Sequence, residues 1–327
     1  MLFENSKVTL SEGIDELVIV PDGWLWYVPF ELLPVASSRP GDDEAAGGRM
    51  LRDTCRIRYA PTRSLAVMPF EAQRPGPVGV HVGRMLRSEK PADAEAVLAH
   101  VTAAIDRVTP LAPGGPLPIP VAAAVCDTLA IFAELTGDGP VASWPLVPLG
   151  AGKGAVSFGD WLAPPLKRPQ RILLPGLQTS MASGLETPPV RPGEDVFLAA
   201  TDLLAAGGRT AVVSRWRTGG KTCVDLMTEF LRESTAAEPA TAAEAWQRAV
   251  DLVLAEEPDA AREPRVKVSP EAPLTRPLHP FLWAGYMLVD CGQDRSSPEP
   301  AAAAVGQPPA LPPAPVPPAI ANPQAGP

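Results

Sequence analysis

Apolar positions in this chain follow two periods. Short unbroken runs bounded by turn formers occur at 17–20 (LVIV), 78–82 (VGVHV), 128–133 (TLAIFA), 171–174 (RILL) and 210–214 (TAVVS). Runs this brief, without a polar residue at every second place, predict strands buried on both faces of a parallel sheet. Between them the spacing becomes helical. Over 94–108, Val97, Leu98, Val101, Ile105 and Val108 recur three or four apart and form one buried stripe. A helix over 196–206 is closed by Gly207-Gly208, where a residue free to take positive φ can end it. Over 222–233, Cys223, Met227, Phe230 and Leu231 share one side. Thr241 followed by Glu244 predicts a capping box that opens a helix over 242–255. Strand, helix, strand, helix with short joints predicts a doubly wound α/β sheet.

Composition sets the boundary of this pattern. Pro makes up 42 of 327 residues, and eleven of them lie beyond Asp294. The stretch 293–327 has almost nothing to bury and is expected to be a disordered Pro/Ala-rich tail leaning to polyproline II, leaving 1–292 as the folded domain. Such a tail is a linker, a plain extension or an SH3-type ligand. Pro and Gly also mark surface loops near 74–77 and 110–120. The net charge of −9 and a pI near 5.0 argue against nucleic acid or an anionic membrane as partner. Cys55, Cys126, Cys223 and Cys291 are widely spaced, with no C-x-x-C and no His cluster, so neither a metal nor a cofactor is expected. Thr218-Gly-Gly-Lys-Thr222 has the G-K-T of a phosphate loop, but Arg215 stands where the first Gly belongs. The N-terminal MLFENSKVTLSEG has no basic flank or apolar core of a signal peptide, and no apolar run reaches about 18 residues. A cytoplasmic chain with reduced thiols is the expectation, and the Ala, Pro and Arg usage suits a GC-rich bacterial genome.

The stretch 172–185, ILLPGLQTSMASGL, has the layout of a catalytic element: an apolar run broken by a Gly turn, where an α/β enzyme carries its nucleophile. It offers only hydroxyls. Ser180 and Ser183 lie in the turn, but G-x-S-x-G is absent, and turn-forming hydroxyls account for them better than a serine hydrolase does.

Four segments in register resemble the CHAT family of caspase-like, clan CD cysteine peptidase-fold domains. They are Leu17-Val-Ile-Val-Pro-Asp-Gly23 with Trp26-Tyr-Val-Pro-Phe-Glu31; Arg58-Tyr-Ala-Pro-Thr-Arg-Ser64; Ala206-Gly-Gly-Arg-Thr-Ala-Val-Val-Ser-Arg-Trp216; and His279-Pro-Phe-Leu-Trp-Ala-Gly-Tyr-Met-Leu-Val289. The resemblance implies a caspase-like doubly wound, mostly parallel sheet flanked by helices on both faces. It also implies a Cys-His dyad: one strand ending in "H-G", a later one in "S-A-C-E-T-G", with thiolate attack on a peptide carbonyl and turn N–H groups holding the oxyanion. Here Glu134 falls at the base position and Leu177 at the nucleophile position, with Thr179 alone retained. The window from Thr128 to Val213 contains neither His nor Cys, so no shift of alignment restores the dyad.

The expectation is therefore a divergent, catalytically inactive member that acts in protein interaction or regulation. It would hold an extended peptide in a groove whose candidate residues are Gln178, Thr179, Arg215, Trp216 and Arg217. The two arginines around Trp216 would pair a carboxylate or phosphate, or else form a solvated loop over a packed Trp216. The alternative is an active cysteine endopeptidase with a relocated nucleophile. Cys223, in the first turn of a helix beside Lys221, has the setting that lowers a thiol pKa, and His279 could serve it. Against this, Cys223 shares a stripe with Met227 and Phe230, and His279 fits an architectural role. A third reading is a module that presents its Pro-rich tail to a partner.

Overall fold

A computed structural model describes residues 14–35, 49–67, 76–83, 91–111, 125–135, 169–177, 179, 181, 191–216, 218–236, 238, 240–257, 259, 262–263 and 279–292. The chain divides after Gln293, and every described residue lies in the first unit, Met1–Gln293. The Pro-rich tail expected over 293–327 lies outside the described residues.

The described strands are β1 (Glu16–Ile19), β2 (Arg56–Tyr59), β3 (Val78–Val82), β4 (Val108–Pro110), β5 (Thr128–Phe132), β6 (Arg171–Leu174), β7 (Thr210–Ser214) and β8 (Tyr286–Asp290). The short apolar runs of β3, β5, β6 and β7 became strands that are covered on both sides. The run at 17–20, expected to be buried likewise, forms the edge strand β1, which is only half-buried because one side of it has no neighbour in the sheet. Along β6, Ile172 and Leu174 enter the core on one face while Leu173 enters the core on the other. The described helices are α1 (Arg63–Ala66), α2 (Pro91–Ala104), α3 (Glu194–Ala205), α4 (Gly220–Thr235), α5 (Ala242–Ala255) and α6 (Pro280–Trp283). Buried residues of α2, α4 and α5 pack on one face of the sheet, and those of α3 on the other with the aromatic segment from Trp26 to Phe30.

The eight strands form one sheet in the order β1-β2-β8-β7-β6-β5-β3-β4. Every neighbouring pair is parallel except β7–β8, which run antiparallel from Thr210↔Asp290 to Ser214↔Tyr286. This is the mixed, mostly parallel α/β sheet of a caspase-like fold. β1, β2 and β8 therefore run opposite to the other five strands, which share a carboxyl edge.

Local signals in the sequence are realised in detail. Thr241 Oγ1 accepts from Glu244 N at 3.2 Å, and Glu244 Oε2 accepts from Thr241 N at 3.1 Å. Gly207 takes φ 104°, and Gly207 N and Gly208 N bond Leu204 O and Leu203 O, the paired closure of a Schellman turn. One expectation changes. The helix predicted over 94–108 stops at Ala104, and Val108 begins β4 instead. Arg107 turns the chain at φ 62°, after which pairing with β3 (Val78↔Val108) offers the backbone more than another helical turn. Pro110 is tolerated because β4 is an edge.

Candidate functional site

The site follows from the pairing of β5 with β6, set by Thr128↔Arg171, Leu129↔Ile172 and Ala130↔Leu173. Two parallel neighbours in this register end at the same edge, so the segments after Phe132 and Leu174 emerge side by side. They remain paired: Leu135 bridges Leu177, and Leu135 N donates to Gly176 O at 2.8 Å. Gly176 is required there, because a Cβ on it would lie 1.8 Å from the Ala133 carbonyl oxygen. Glu134 and Leu177 are thus brought to adjacent strand ends, as the resemblance implied for a dyad.

Neither position presents a nucleophile or an imidazole. Leu177 is 4% exposed and packs in the core that also holds Leu135, Leu174 and Val196. Glu134 is half-buried. The turn is fastened to the end of β7 by two hydroxyls: Ser214 Oγ donates to Leu177 O, and Thr179 Oγ1 donates to Arg215 O. Gln178 and Arg217, with Ser180 and Ser183, lie outside the described residues.

Arg215 differs from both roles weighed for it. It is neither a groove cation nor part of a solvated loop, being 0% exposed. Its Nη1 donates to Ala284 O at 2.7 Å and Tyr286 O at 2.8 Å, and its Nη2 donates to Glu31 Oε1 at 3.0 Å and Oε2 at 3.1 Å. The guanidinium also lies 4.8 Å from the centre of the Tyr59 ring, whose hydroxyl donates to Glu31 Oε2 at 3.0 Å. Burial works against the charge on Arg215, and Glu31 and Tyr59 together more than offset it, so its pKa is raised. Burial likewise pushes the Tyr59 phenol well above its ordinary range. An anion approaching from outside would have to displace Glu31 from a dry site. Trp216 is half-buried, stacked on Phe281 with ring centres 5.7 Å apart, and its Nε1 donates to Phe281 O at 3.1 Å. Thr179 and Trp216 therefore do share the carboxyl edge of the five-stranded block.

The relocated thiol is corrected on the point that motivated it. The helix N-terminus and Lys221 were expected to lower the pKa of Cys223. Burial instead pushes it up to about 12, with the thiol in contact with the Tyr286 hydroxyl at 1% exposure. Lys221 is bonded instead to Asp225 at 2.5 Å and Glu256 at 3.1 Å. The other cysteines are buried too, and burial raises the thiols of Cys55, Cys126 and Cys291, the last to about 11. His279 caps α6, its Nδ1 accepting from Phe281 N at 3.1 Å. His81, 1% exposed in β3, has Nδ1 2.9 Å from Leu111 O, and burial lowers its pKa. His100 stands half-exposed on α2, 3.5 Å from Asp225.

Sequence reasoning did not single out Glu31, Tyr59 or Leu135. Glu31 and Tyr59 were visible only as letters within the P-F-E and Y-A-P segments. Nothing local to either indicates a partner 184 residues away in the chain, as Arg215 is from Glu31.

Residues 176–290 match the family model described as CHAT domain. The match begins at the Gly of the turn after β6 and runs to the end of β8, so it includes the third and fourth motif segments and places this part of the chain in a peptidase-related, caspase-like fold. The first two segments precede it. No curated protein matches the chain.

Proposed function

We propose that this chain is a pseudo-peptidase: a caspase-like domain without hydrolytic chemistry that serves protein interaction or regulation, with an extended peptide held along the carboxyl edge near Thr179 and Trp216. The observation that carries the proposal is the pair of strand ends after β5 and β6, where Glu134 and a core-packed Leu177 occupy the places a base and a nucleophile need. A carboxylate has no thiol to deprotonate there. Losing both members of such a unit leaves only binding, since removal of one commonly costs about 10⁴–10⁶ in rate. Thiol chemistry elsewhere finds no support either. Cysteine peptidases act through a thiolate whose pKa is depressed, whereas all four thiols here are shifted upward by burial. Four free cysteines suit a reducing, cytoplasmic setting.

Peptides carrying thiol-directed electrophiles test the inactive half of the proposal. Incubated with the purified full chain and read by intact mass, they are expected to leave it unlabelled; stoichiometric labelling at a single cysteine that Cys223→Ala abolishes would establish the active alternative. The binding half is tested with an immobilised library of extended peptides, where Trp216→Ala should weaken captured sequences. Capture indifferent to that substitution but lost on deleting 293–327 would move the interaction to the tail.

A further inference from the structure

A buried carboxyl outside the groove is bonded in a way that reports its protonation state. Arg262 and Glu263 lie against the first turn of α4, which follows Gly219 and so has no capping side chain of its own. Lys221 N donates to Arg262 O at 3.1 Å. Glu263, 5% exposed, uses one oxygen twice: its Oε1 accepts from Thr222 N at 2.7 Å and from Thr222 Oγ1 at 2.8 Å. A residue 41 positions along the chain thus supplies the missing helix cap. Glu263 Oε2 is buried and has no hydrogen-bond partner among the described residues.

A carboxylate shares its charge between both oxygens, and a charged oxygen buried without a donor is costly. A neutral acid has one carbonyl oxygen, able to accept twice, and one hydroxyl. We infer that Arg262–Glu263 is a proton-dependent strap, fastened over the first turn of α4 while Glu263 carries a proton on Oε2 and loosened when that proton leaves.

The surroundings agree. Facing Glu263 from α4 are Lys221, Asp225 and the neutral thiol of Cys223; from β8 comes the neutral phenol of Tyr286. Lys221 is held by Asp225 and by Glu256 at the end of α5, and His100 on α2 stands beyond Asp225. The charge of Lys221 is thus answered by two other carboxylates, and Arg262 is exposed on the strap itself. Burial raises the Glu263 carboxyl against the lowering effect of the Thr222 donors. Because α4 starts just beyond Trp216, loosening frees a helix turn at the carboxyl edge of the sheet. The inference does not depend on the groove binding peptide.

Hydrogen exchange at the Lys221 and Thr222 amides of the full chain, corrected for intrinsic rates and referenced to Ala249 in α5, tests it. From about pH 5 to pH 8, wild-type protection should fall as pH rises, by up to about tenfold per pH unit once Glu263 ionises. Glu263→Gln, which keeps an acceptor at the Oε1 place without a charge, should stay protected throughout. Glu263→Ala should be unprotected throughout. A wild-type profile flat with pH overturns the inference, and so does a Gln variant as open as the Ala variant. Should either substitution prevent folding, the wild-type slope alone decides.

Discussion

Charge placement at single residues is decided here by burial. Arg215 sits at the end of β7 with its guanidinium turned inward onto Glu31, two carbonyls and the Tyr59 ring. A planar group that serves two carbonyls through Nη1, both carboxylate oxygens through Nη2 and an aromatic face at once is what Arg provides and Lys does not. Arg215→Met would leave Glu31 buried and unpaired, and should destabilise the protein by about 3–5 kcal/mol in urea unfolding. Adding Glu31→Leu should recover part of that loss, because the bare carboxylate is then gone. A single Arg215→Met variant with an unchanged urea midpoint would show that the buried pair does not hold the fold. Leu177 makes the complementary point for an apolar residue: at the end of β6 its side chain joins the core rather than the surface.

At the scale of elements, the clearest signals were those whose cause is local. A capping box needs only Thr241 and Glu244, and a Schellman turn only Gly207 and Gly208, so both were legible before any tertiary contact was known. Thr241→Ala should cost about 1 kcal/mol by removing the acceptor for Glu244 N, visible as a lower urea midpoint at unchanged slope. A midpoint equal to wild type would mean that packing of Trp246 and Val250 holds α5 without its cap. The signals that failed were those a neighbour overrides. Val108 continues the apolar stripe of α2, yet β3 takes it as an edge partner. The helical position of Cys223 points to a lowered thiol pKa, yet burial raises it, because its environment is made by Tyr286 and Glu263 as well as by its own helix.

Across the whole molecule, the buried ionisable groups give stability a pH dependence with opposing parts. His81 has a folded-state pKa below its unfolded value of about 6.5. On acidification the unfolded chain takes up the proton first, so the stability tied to neutral His81 is complete above that value and is lost as pH falls below it. Glu263 and Asp290, raised by burial, run the other way: their contribution is complete at low pH and lost as pH rises through their folded-state values. The difference between wild type and His81→Asn isolates the histidine. From pH 7 toward pH 5, wild-type unfolding free energy should fall relative to the variant, with a limiting slope near 1.4 kcal/mol per pH unit. A flat difference curve would show that His81 does not gain its proton on unfolding.

The sequence by itself determined strands β1, β3, β5, β6 and β7 and helices α2 to α5, where several of those helices begin and end, and that strands β5 and β6 end without a thiol or imidazole. Those properties depend on residue type and short-range periodicity, which are present in the chain before it folds. Tertiary structure decided that β1, β2 and β8 run against the other five strands, that Leu177 packs inward, that Arg215 is answered by Glu31, and that Cys223 is a sealed thiol. Each of these depends on burial and on partners far away in sequence, and the electrostatic setting of a side chain exists only once those partners surround it.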